Sequence, residues 1–312
     1  MPYPPVTVIV PAYNAVRSIG RALASVWHQN YPELEVVVVD DGSSDGTSAE
    51  IRKIHGCNLR LIELAENRGV SVAMNVGIRE ARAEYIAFLD ADDEWLGNKL
   101  LTQIPILEAH PKMSFIASGG ESVNPEGRVS RTFGLELPPY SPGEFWRALL
   151  VKSYVAKPTV VARRVKLLEA GGFTESYKIS EDQDMWIRLA LNGEVGFVPK
   201  VLVRVHETPN SLMKRHGTNE DEVLLPMIRD YVSRLASRLS HREIRQILGQ
   251  RYAATGRNLY PGRPSRGAAL VIRGVMLGNR PLENLTYLLW AAPPAIRIKM
   301  YLRSLARSKE KI

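Results

Sequence analysis

The first 120 residues alternate between short apolar runs and longer helical patterns, and this alternation constrains the fold more than any other feature. The runs at 6–10 and 35–39 are β-branched and continuously apolar, as expected for strands buried on both faces. The segments 59–63 and 85–89 are two more strand candidates. Strands and helices in regular succession predict a parallel sheet with helices on its faces. The helical patterns lie near 15–27, 47–54, 71–81 and 97–109.

Polar and turn-forming segments follow all four predicted strands. Ligands of such sheets bind outside the carboxyl ends of the strands, so these segments are where we expect a site. Two of the four are strongly acidic. The segments are 11–14, 40–44, 66–69 and 90–93.

Asp90 and Asp92 follow the last run directly, with Asp93 beside them. Carboxylates this close repel one another and raise one another's pKa. A divalent cation relieves the repulsion, and hard oxygen ligands suit Mg²⁺ or Mn²⁺. Mg²⁺ usually completes its shell with substrate phosphates. Asp90-Ala91-Asp92 therefore predicts a metal and diphosphate site, with a solvated acidic turn or a helix N-cap as the alternative.

A second acidic cluster, residues 181–184, opens a helical pattern over 180–191 whose first residue, a serine, is the expected N-cap. Asp184 and Arg188 have the i,i+4 spacing of an ion pair, which is the structural interpretation of Asp184. Asp182 lies on a different face of this helix from Asp184 and Arg188. A carboxylate at a helix start beside a cleft can serve as a general base, and Asp182 is our candidate.

Five short motifs stand in order along the chain. They are Val6-Thr-Val-Ile-Val-Pro-Ala-Tyr-Asn14, Val38-Val-Asp-Asp-Gly-Ser-Ser-Asp-Gly-Thr47, Asn67-Arg-Gly-Val-Ser71, Asp90-Ala-Asp92 and Glu181-Asp182. In this order they resemble the motifs of the family 2 glycosyltransferases, with the first similar to that family's opening strand and loop and the second to its second motif. The resemblance covers roughly residues 5–210. It implies an α/β GT-A fold: a Rossmann-like, mainly parallel central sheet flanked by helices, here with a helical basic C-terminal extension.

The resemblance implies a nucleoside pocket at the ends of the first two strands. Tyr13 would lie against the base, or it is a packed aromatic. Asp41 would accept from the uracil imide N–H, with Asp40 as its substitute, and Gly42 would allow close backbone approach where a side chain would block the ligand. The alternative interpretation of Asn14 is structural: it would cap a helix. The implied nucleotide-binding residues are Pro11, Tyr13, Asn14, Asp40, Asp41, Gly42, Arg68, Asp90 and Ala91.

The same resemblance implies a diphosphate and metal site. Arg68 would neutralise diphosphate or flank the base, or it is only a surface charge. Asp92 would bind Mn²⁺ or Mg²⁺ directly, and Asp90 would meet the ribose or the metal. His206 resembles a later family histidine that reaches the metal or the diphosphate, whereas a lone histidine is as often structural.

For catalysis, the resemblance implies that Asp182 deprotonates the acceptor hydroxyl. Glu181, Gly172 and Asp184 are candidate contacts to the donor sugar or the acceptor. The structural interpretation of Gly172 is that, together with Gly171, it forms the C-cap of a preceding short helix.

The net charge of +8 is concentrated in the last third of the chain. From Ser211 onward there are 19 Lys and Arg against 7 Asp and Glu, a balance of +12, while the first 210 residues carry −4. A basic appendage suggests an anionic partner: a membrane surface, a lipid diphosphate or, less favoured, nucleic acid. The segment 282–312 could lie on an anionic membrane. The alternative is a helix packed on the catalytic domain or on a second copy in a homodimer.

We therefore predict a GT-A catalytic domain at 1–215, with a nucleotide-binding half at 1–110 and an acceptor-side half at 111–215. Residues 216–312 would form a helical C-terminal region. One cysteine, no basic N-terminal region and no apolar run of membrane-spanning length predict a cytoplasmic protein, with a peripheral position at the inner face of the membrane as an extension.

The expected activity is inverting transfer of a sugar from a nucleotide-diphosphate donor, UDP favoured over dTDP and GDP, to a hydroxyl acceptor in polysaccharide, glycolipid or glycoconjugate assembly. Processive synthases of the family carry a Gln-x-x-Arg-Trp motif and several membrane spans. We find neither in this sequence, so we expect an enzyme that adds a single sugar to each acceptor. A sugar-1-phosphate nucleotidyltransferase is an alternative, although its Gly-rich basic loop is missing after the first strand. A non-catalytic sugar-nucleotide-binding scaffold is the alternative from another class.

Overall fold

The structure is a computed structural model that describes residues 3–54, 58–136, 140–207 and 220–280, together with 283, 284 and 287. The chain divides into two compact units, Met1–Ser211 and Leu212–Ile312. The domain assignment made from the sequence stays a prediction. None of the helices in the described ranges combines the length and the apolar character that crossing a membrane requires.

The four predicted strands form a parallel half-sheet in the first unit. Val6–Ala12 (β1) pairs with Leu34–Asp40 (β2) on one side and with Tyr85–Phe88 (β4) on the other, and Leu59–Glu63 (β3) pairs with β2. Every residue of β1 is buried, and all but the first of β2. Strands buried on both faces explain why these runs are continuously apolar.

The other half of the sheet contains antiparallel pairs. Val161–Arg163 (β8) runs antiparallel to β4 and to Met113–Val123 (β6), and Glu194–His206 (β9) runs parallel to β6. Two reversals separate β9 from β4, so the carboxyl end of β9 reaches the same edge as those of β1, β2 and β4. The residues just before β8 reach that edge as well, because β8 runs the opposite way. We call this edge the site edge.

Two short strands complete the described sheet, whose order is β3-β2-β1-β4-β8-β6-β9-β5 with β7 beside β6. Glu94–Trp95 (β5) pairs with β9, and Val129–Phe133 (β7) forms a hairpin with β6. The GT-A-like α/β fold class predicted from the sequence is confirmed. The sequence analysis predicts no strand at β7, because that strand is mostly exposed and its residues give no apolar run.

Seven helices in the described part of the first unit flank the sheet. They begin and end close to the predicted positions where a prediction was made. The helices are Ile19–Trp27 (α1), Thr47–Lys53 (α2), Val70–Glu80 (α3), Lys99–Ala109 (α4), Phe145–Val151 (α5), Arg164–Glu169 (α6) and Glu181–Leu191 (α7).

The start of α7 differs from the prediction in one respect. Ser180 lies at the N-cap position, but it has a left-handed backbone with φ of 61° and its side chain accepts no capping hydrogen bond. The helix therefore begins with two acidic residues rather than with a serine cap, which suits the positive end of the helix dipole.

The described part of the second unit consists of Glu220–Arg234 (α8), His241–Leu259 (α9) and Pro264–Met276 (α10). Residues 260–263 connect α9 to α10. These two helices touch backbone to backbone: a Cβ on Gly256 would lie 2.7 Å from the carbonyl oxygen of Gly267, and one on Gly274 2.7 Å from that of Gly249. Only glycine permits this approach. Apart from 283, 284 and 287, the segment 282–312 lies outside the described residues, so its membrane or dimer contact stays a prediction.

Candidate active site

The acidic loop, residues 90–94, follows β4 at the site edge and is fixed by its own turn and by α1. The amide of Asp93 donates to the carbonyl of Asp90 at 3.1 Å. The guanidinium of Arg21, on α1, donates to the carbonyl oxygen of Asp92 at 2.7 Å. The backbone of the loop is therefore held in place without using the Asp92 carboxylate.

Lys157 reaches the acidic loop from the 3-10 turn Lys157–Thr159, which comes just before β8. Its Nζ lies 2.6 Å from Oδ1 of Asp90, and the residue is only 8% exposed. Burial by itself would lower the pKa of Lys157, but the charges of Asp90 and Glu181 outweigh it and the pKa is raised. Lys157 is therefore a charged cation inside the site.

Asp92 is the carboxylate of the acidic loop that has no partner in the described structure. Burial, and next the charge of Asp90, raise its pKa. The same two causes raise the pKa of Asp93 well above its ordinary value, although the Asp93 carboxylate accepts from the amide of His206 at 3.0 Å. No other described residue makes a hydrogen bond or ion pair with the Asp92 carboxylate. Its charge is the one in the loop that a ligand could most favourably neutralise.

Glu181 and Asp182, at the start of α7, share an electrostatic environment with the acidic loop. Burial raises the pKa of Asp182, while the charge of Lys157 lowers it. Burial, and next the charge of Asp182, raise the pKa of Glu181 to about 7. The charge of Asp90 raises both values further. The two acidic segments, about 90 residues apart in the sequence, therefore form one cluster around Lys157.

His206, the last residue of β9, also lies at the site edge. Its Nε2 lies 2.5 Å from Oε1 of Glu94, and that carboxylate also lies 3.2 Å from Nε of Arg21. The imidazole therefore already has a partner within the acidic loop. Its predicted role as a metal ligand gains no support from this contact and stays a prediction.

Asp41 ties the end of β2 to the loop that precedes α3. It is 3% exposed, and its two carboxylate oxygens accept from the amides of Arg68 and Gly69, each at 2.8 Å. Asp40, also buried, accepts from the amide of Ser43 at 3.1 Å and from nearby hydroxyls. Each carboxylate oxygen of Asp41 can still accept a second bond. The contact of Asp41 with uracil stays a prediction. The structure adds a second role for Asp41, the ordering of the loop before α3, which the sequence did not reveal.

Gly42 is needed for a different close approach from the one expected. Its φ is +70°, and a Cβ there would lie 2.6 Å from the carbonyl carbon of Glu66 and 2.7 Å from the amide nitrogen of Asn67. The space that a side chain would fill is occupied by the protein's own backbone, not by a ligand. Gly42 therefore fixes the distance between the loops after β2 and β3.

The remaining nucleotide-pocket residues differ in their exposure. Asn14, with φ of 49°, accepts from the amide of Ser44 at 2.9 Å, so it joins two loops and does not cap a helix. Tyr13 is half exposed, which excludes the packed-aromatic interpretation. Arg68 is exposed at the surface of its loop, whereas Pro11 and Ala91 are buried.

Asp184 and Gly172 have structural explanations. Asp184 accepts from Thr174 at 2.7 Å and pairs with Arg188 at 2.7 Å, as the i,i+4 spacing predicted. Gly172 ends α6 in a Schellman turn, and a Cβ there would lie 2.5 Å from Oδ1 of Asn75. Their predicted sugar contacts gain no support and stay predictions.

A divalent cation fits this site only together with a ligand. No three His, Cys, Asp or Glu side chains of the described residues converge so as to hold a metal ion by themselves. Mg²⁺ is commonly held by one or two carboxylates while substrate phosphates and waters complete its shell. Asp92, with its raised pKa and no partner, matches that arrangement.

The sequence of the chain matches the family described as Glycosyl transferase family 2 over residues 7–170, more than half of its length. The chain belongs to this family. It is therefore a glycosyltransferase, and the resemblance carried by the five motifs is confirmed at this level.

Several known proteins are similar to this chain over most of its length. A UDP-Glc:alpha-D-GlcNAc-diphosphoundecaprenol beta-1,3-glucosyltransferase, WfgD of Escherichia coli, is 28% identical over 193 residues, which is 62% of this chain and 72% of WfgD. Residues 1–349 of S. aureus TarS superpose with a TM-score of 0.61 at 22% identity, over 91% of this chain and 89% of that one. The same fragment has been solved with UDP-GlcNAc.

A further solved structure is the mannosyltransferase PcManGT from Pyrobaculum calidifontis, in complex with GDP-Man and Mn²⁺. It superposes with a TM-score of 0.61 at 24% identity, over 93% of this chain and 86% of that one. At this identity, both solved structures show that the fold is shared.

Proposed function

We propose that this glycosyltransferase moves a sugar from a UDP-sugar to a hydroxyl acceptor in one displacement with inversion. The observation that carries the proposal is the cluster formed by Asp92, Lys157 and Asp182. The charge of Lys157 acts on both carboxylates, and this supports a role for Asp92 in metal binding and for half-buried Asp182 as the base. One displacement needs both groups at once.

The nucleotide would lie along the ends of β1 and β2. Half-exposed Tyr13 offers a face for the base, and exposed Arg68 offers a positive charge for the base or the diphosphate. UDP is the favoured nucleotide because Asp41 retains acceptor capacity for an imide N–H and because TarS has been solved with UDP-GlcNAc. GDP is the runner-up, since PcManGT has been solved with GDP-Man.

In the proposed reaction, the acceptor hydroxyl attacks the anomeric carbon while the bond from that carbon to the diphosphate oxygen breaks on the opposite face. The Asp182 carboxylate takes the proton of the attacking hydroxyl. Burial raises the pKa of Asp182, which strengthens it as a base near neutral pH. One displacement leaves the anomeric configuration inverted.

The residue that would hold a divalent cation is Asp92, while Asp90, the other predicted ligand, is paired with Lys157. When bound, Mn²⁺ or Mg²⁺ would supply positive charge to the diphosphate oxygens. Arg21 keeps the acidic loop in place through its contact with the carbonyl oxygen of Asp92.

The acceptor is proposed to be a sugar hydroxyl in surface polysaccharide, glycolipid or glycoconjugate assembly, with one addition per encounter. WfgD, by its name, acts on a diphosphoundecaprenol-linked GlcNAc. The Gln-x-x-Arg-Trp pattern of processive synthases does not occur in the 312 residues. Neither of the two alternative functions, a nucleotidyltransferase and a non-catalytic scaffold, is favoured by an observation in the site.

The base is tested by Asp182→Asn, which keeps the size of the side chain and removes the proton acceptor. We expect transfer to fall by about 10²–10⁴-fold, while the Kd for UDP stays within about threefold of the wild type. Transfer is measured by product formation, and donor binding by calorimetry. Glu181→Gln is the matched control and should retain more activity. Retained turnover in Asp182→Asn would exclude Asp182 as the base.

A further inference from the structure

Lys157 is a buried cation that the proposed reaction does not use. Its ammonium group is 2.6 Å from Asp90, at the centre of a cluster of acidic groups. The charges of Glu181 and Asp182 also act on it. A buried lysine is costly unless it is paired, so this position requires a compensating interaction, and Asp90 supplies it.

The turn that carries Lys157 is held on several sides. The indole of Trp95, which directly follows the acidic loop, donates to the carbonyl of Pro158 at 3.1 Å. The side chain of Gln103, on α4, donates to the carbonyl of Thr159 at 2.9 Å, and the Thr159 hydroxyl donates to Ala156 at 2.6 Å. These hydrogen bonds fix the backbone of the turn from which the buried Lys157 side chain reaches Asp90.

We propose that Lys157 is a positioning residue that acts through Asp90: it neutralises this carboxylate, so that Asp92 is the carboxylate of the acidic loop left free for a divalent cation. The inference rests on the proposed function and gives the two aspartates different tasks. Without Lys157, two unpaired carboxylates would both attract the cation. With it, the ion has one preferred position.

The buried lysine on α4 provides a contrast. Lys99 is fully buried, but its Nζ has no hydrogen-bond partner among the described residues and lies 4.4 Å from the centre of the Trp95 ring. It makes no ion pair with the acidic loop. Lys99→Met is therefore a matched control for the loss of a buried lysine.

The test measures Mn²⁺ binding by electron paramagnetic resonance with saturating UDP and without acceptor, after subtraction of the Mn²⁺ that free UDP binds. Lys157→Met frees the Asp90 carboxylate and should tighten Mn²⁺ binding by about tenfold or more, because an unpaired charge at close range has effects of that size. Lys157→Arg keeps the charge and should stay within about threefold of the wild type. Lys99→Met should also stay within that range.

A double variant tests whether Lys157 acts through Asp90. Asp90→Asn alone leaves Lys157 unpaired beside the metal position and should weaken Mn²⁺ binding. Lys157→Met combined with Asp90→Asn replaces the ion pair by two neutral side chains and should bind Mn²⁺ within about threefold of the wild type. The two single effects should thus oppose each other and largely cancel.

Three results would overturn this inference: unchanged Mn²⁺ affinity in Lys157→Met, a double variant far from the wild type, or no Mn²⁺ binding by any variant. If Lys157→Met does not fold, Lys157→Arg, Asp90→Asn and the double variant still decide it. The proposed function fails by a different result, the absence of UDP-sugar binding and transfer by the wild type. A wild type that transfers sugar while Lys157→Met binds Mn²⁺ unchanged would overturn the inference alone.

Discussion

At the scale of single residues, the function of each acidic side chain depends on whether the protein already provides its partner. Asp41 accepts from two amides, Asp93 accepts from one, and Asp184 is paired with an arginine. Asp92 has no such partner among the residues that the structure describes. Because all four have the same chemistry, only the contacts distinguish a carboxylate that orders a loop from one that is available to a ligand.

Lys99 gives a prediction about stability at this scale. Burial keeps its pKa well below the ordinary value, and no described hydrogen bond compensates for its desolvation. Lys99→Met keeps most of the side-chain volume and removes the buried polar group, so the free energy of unfolding should rise by about 1–3 kcal/mol. Chemical denaturation measures it. The surface control Lys53→Met should change it by less than about 0.5 kcal/mol. A less stable Lys99→Met protein would contradict the prediction.

Residue types in order along the chain were enough to propose roles for Asp90, Asp92 and Asp182, because each follows a strand end or begins a helix, and these roles stay predictions. Lys157 could not be found in the same way. It stands in a Lys-Pro-Thr segment with no pattern of its own. It reaches Asp90 because β8 is antiparallel to β4, and strand direction is a property of long-range pairing that the local sequence does not encode.

At the scale of elements, the site edge is built from the ends of β1, β2, β4 and β9 together with the turn before β8. The loops after β2 and β3 are joined by backbone contacts to Asp41 and by the close approach at Gly42. These two loops, which carry part of the predicted nucleotide pocket, therefore form one connected unit.

Gly42→Ala tests this connection. Besides the strain of φ at +70°, the new Cβ would collide with the backbone of Glu66 and Asn67, which displaces the loop that carries Arg68. We expect the Kd for UDP to rise by about tenfold or more, a loss of about 1.4 kcal/mol. Gly46→Ala is the matched control: its φ is +94°, but nothing lies within 4 Å of the new Cβ.

Gly46→Ala should lower stability by about 1 kcal/mol and leave UDP binding nearly unchanged. Calorimetry with UDP and denaturation of both variants separate the two effects. Equal Kd values for Gly42→Ala and Gly46→Ala would contradict the loop connection.

The elements differ in how well the sequence predicts them. The buried strands and α1 to α4 were predicted closely, because burial on both faces or on one helix face leaves a clear apolar pattern. The hairpin strand β7 was missed because exposed residues with Ser, Arg and Thr carry no such pattern. The length of β6, 11 residues, was also missed, since its middle contains Ser118, Gly119 and Gly120.

At the scale of the whole molecule, the acidic cluster should make stability depend on pH. The pKa of Glu181 is raised to about 7 from an ordinary 4.5, and those of Asp92, Asp93 and Asp182 are also raised. Between about pH 4.5 and pH 7, the folded chain therefore binds more protons than the unfolded chain. The resulting stability is present below about pH 4.5 and is lost as pH rises through about 7.

We expect the free energy of unfolding of the metal-free protein to fall between about pH 5 and pH 8. Glu181→Gln removes one of the titrating groups and should make this fall shallower. Denaturation at a series of pH values, with EDTA present, measures both. A free energy that rises over this range more steeply in the wild type than in Glu181→Gln would contradict the prediction.

The central claim is that the site edge binds a nucleotide sugar with a divalent cation at Asp92. Its most direct test is thermal unfolding of the wild type and of Asp92→Asn against a panel of nucleotide sugars, each with Mn²⁺ or with EDTA. We predict that a UDP-sugar with Mn²⁺ stabilises the wild type by about 2.7 kcal/mol at a hundred times its Kd, a shift of several degrees. EDTA or Asp92→Asn should remove most of it. A wild type whose midpoint no nucleotide sugar raises, or raises equally with EDTA and in Asp92→Asn, would contradict the claim.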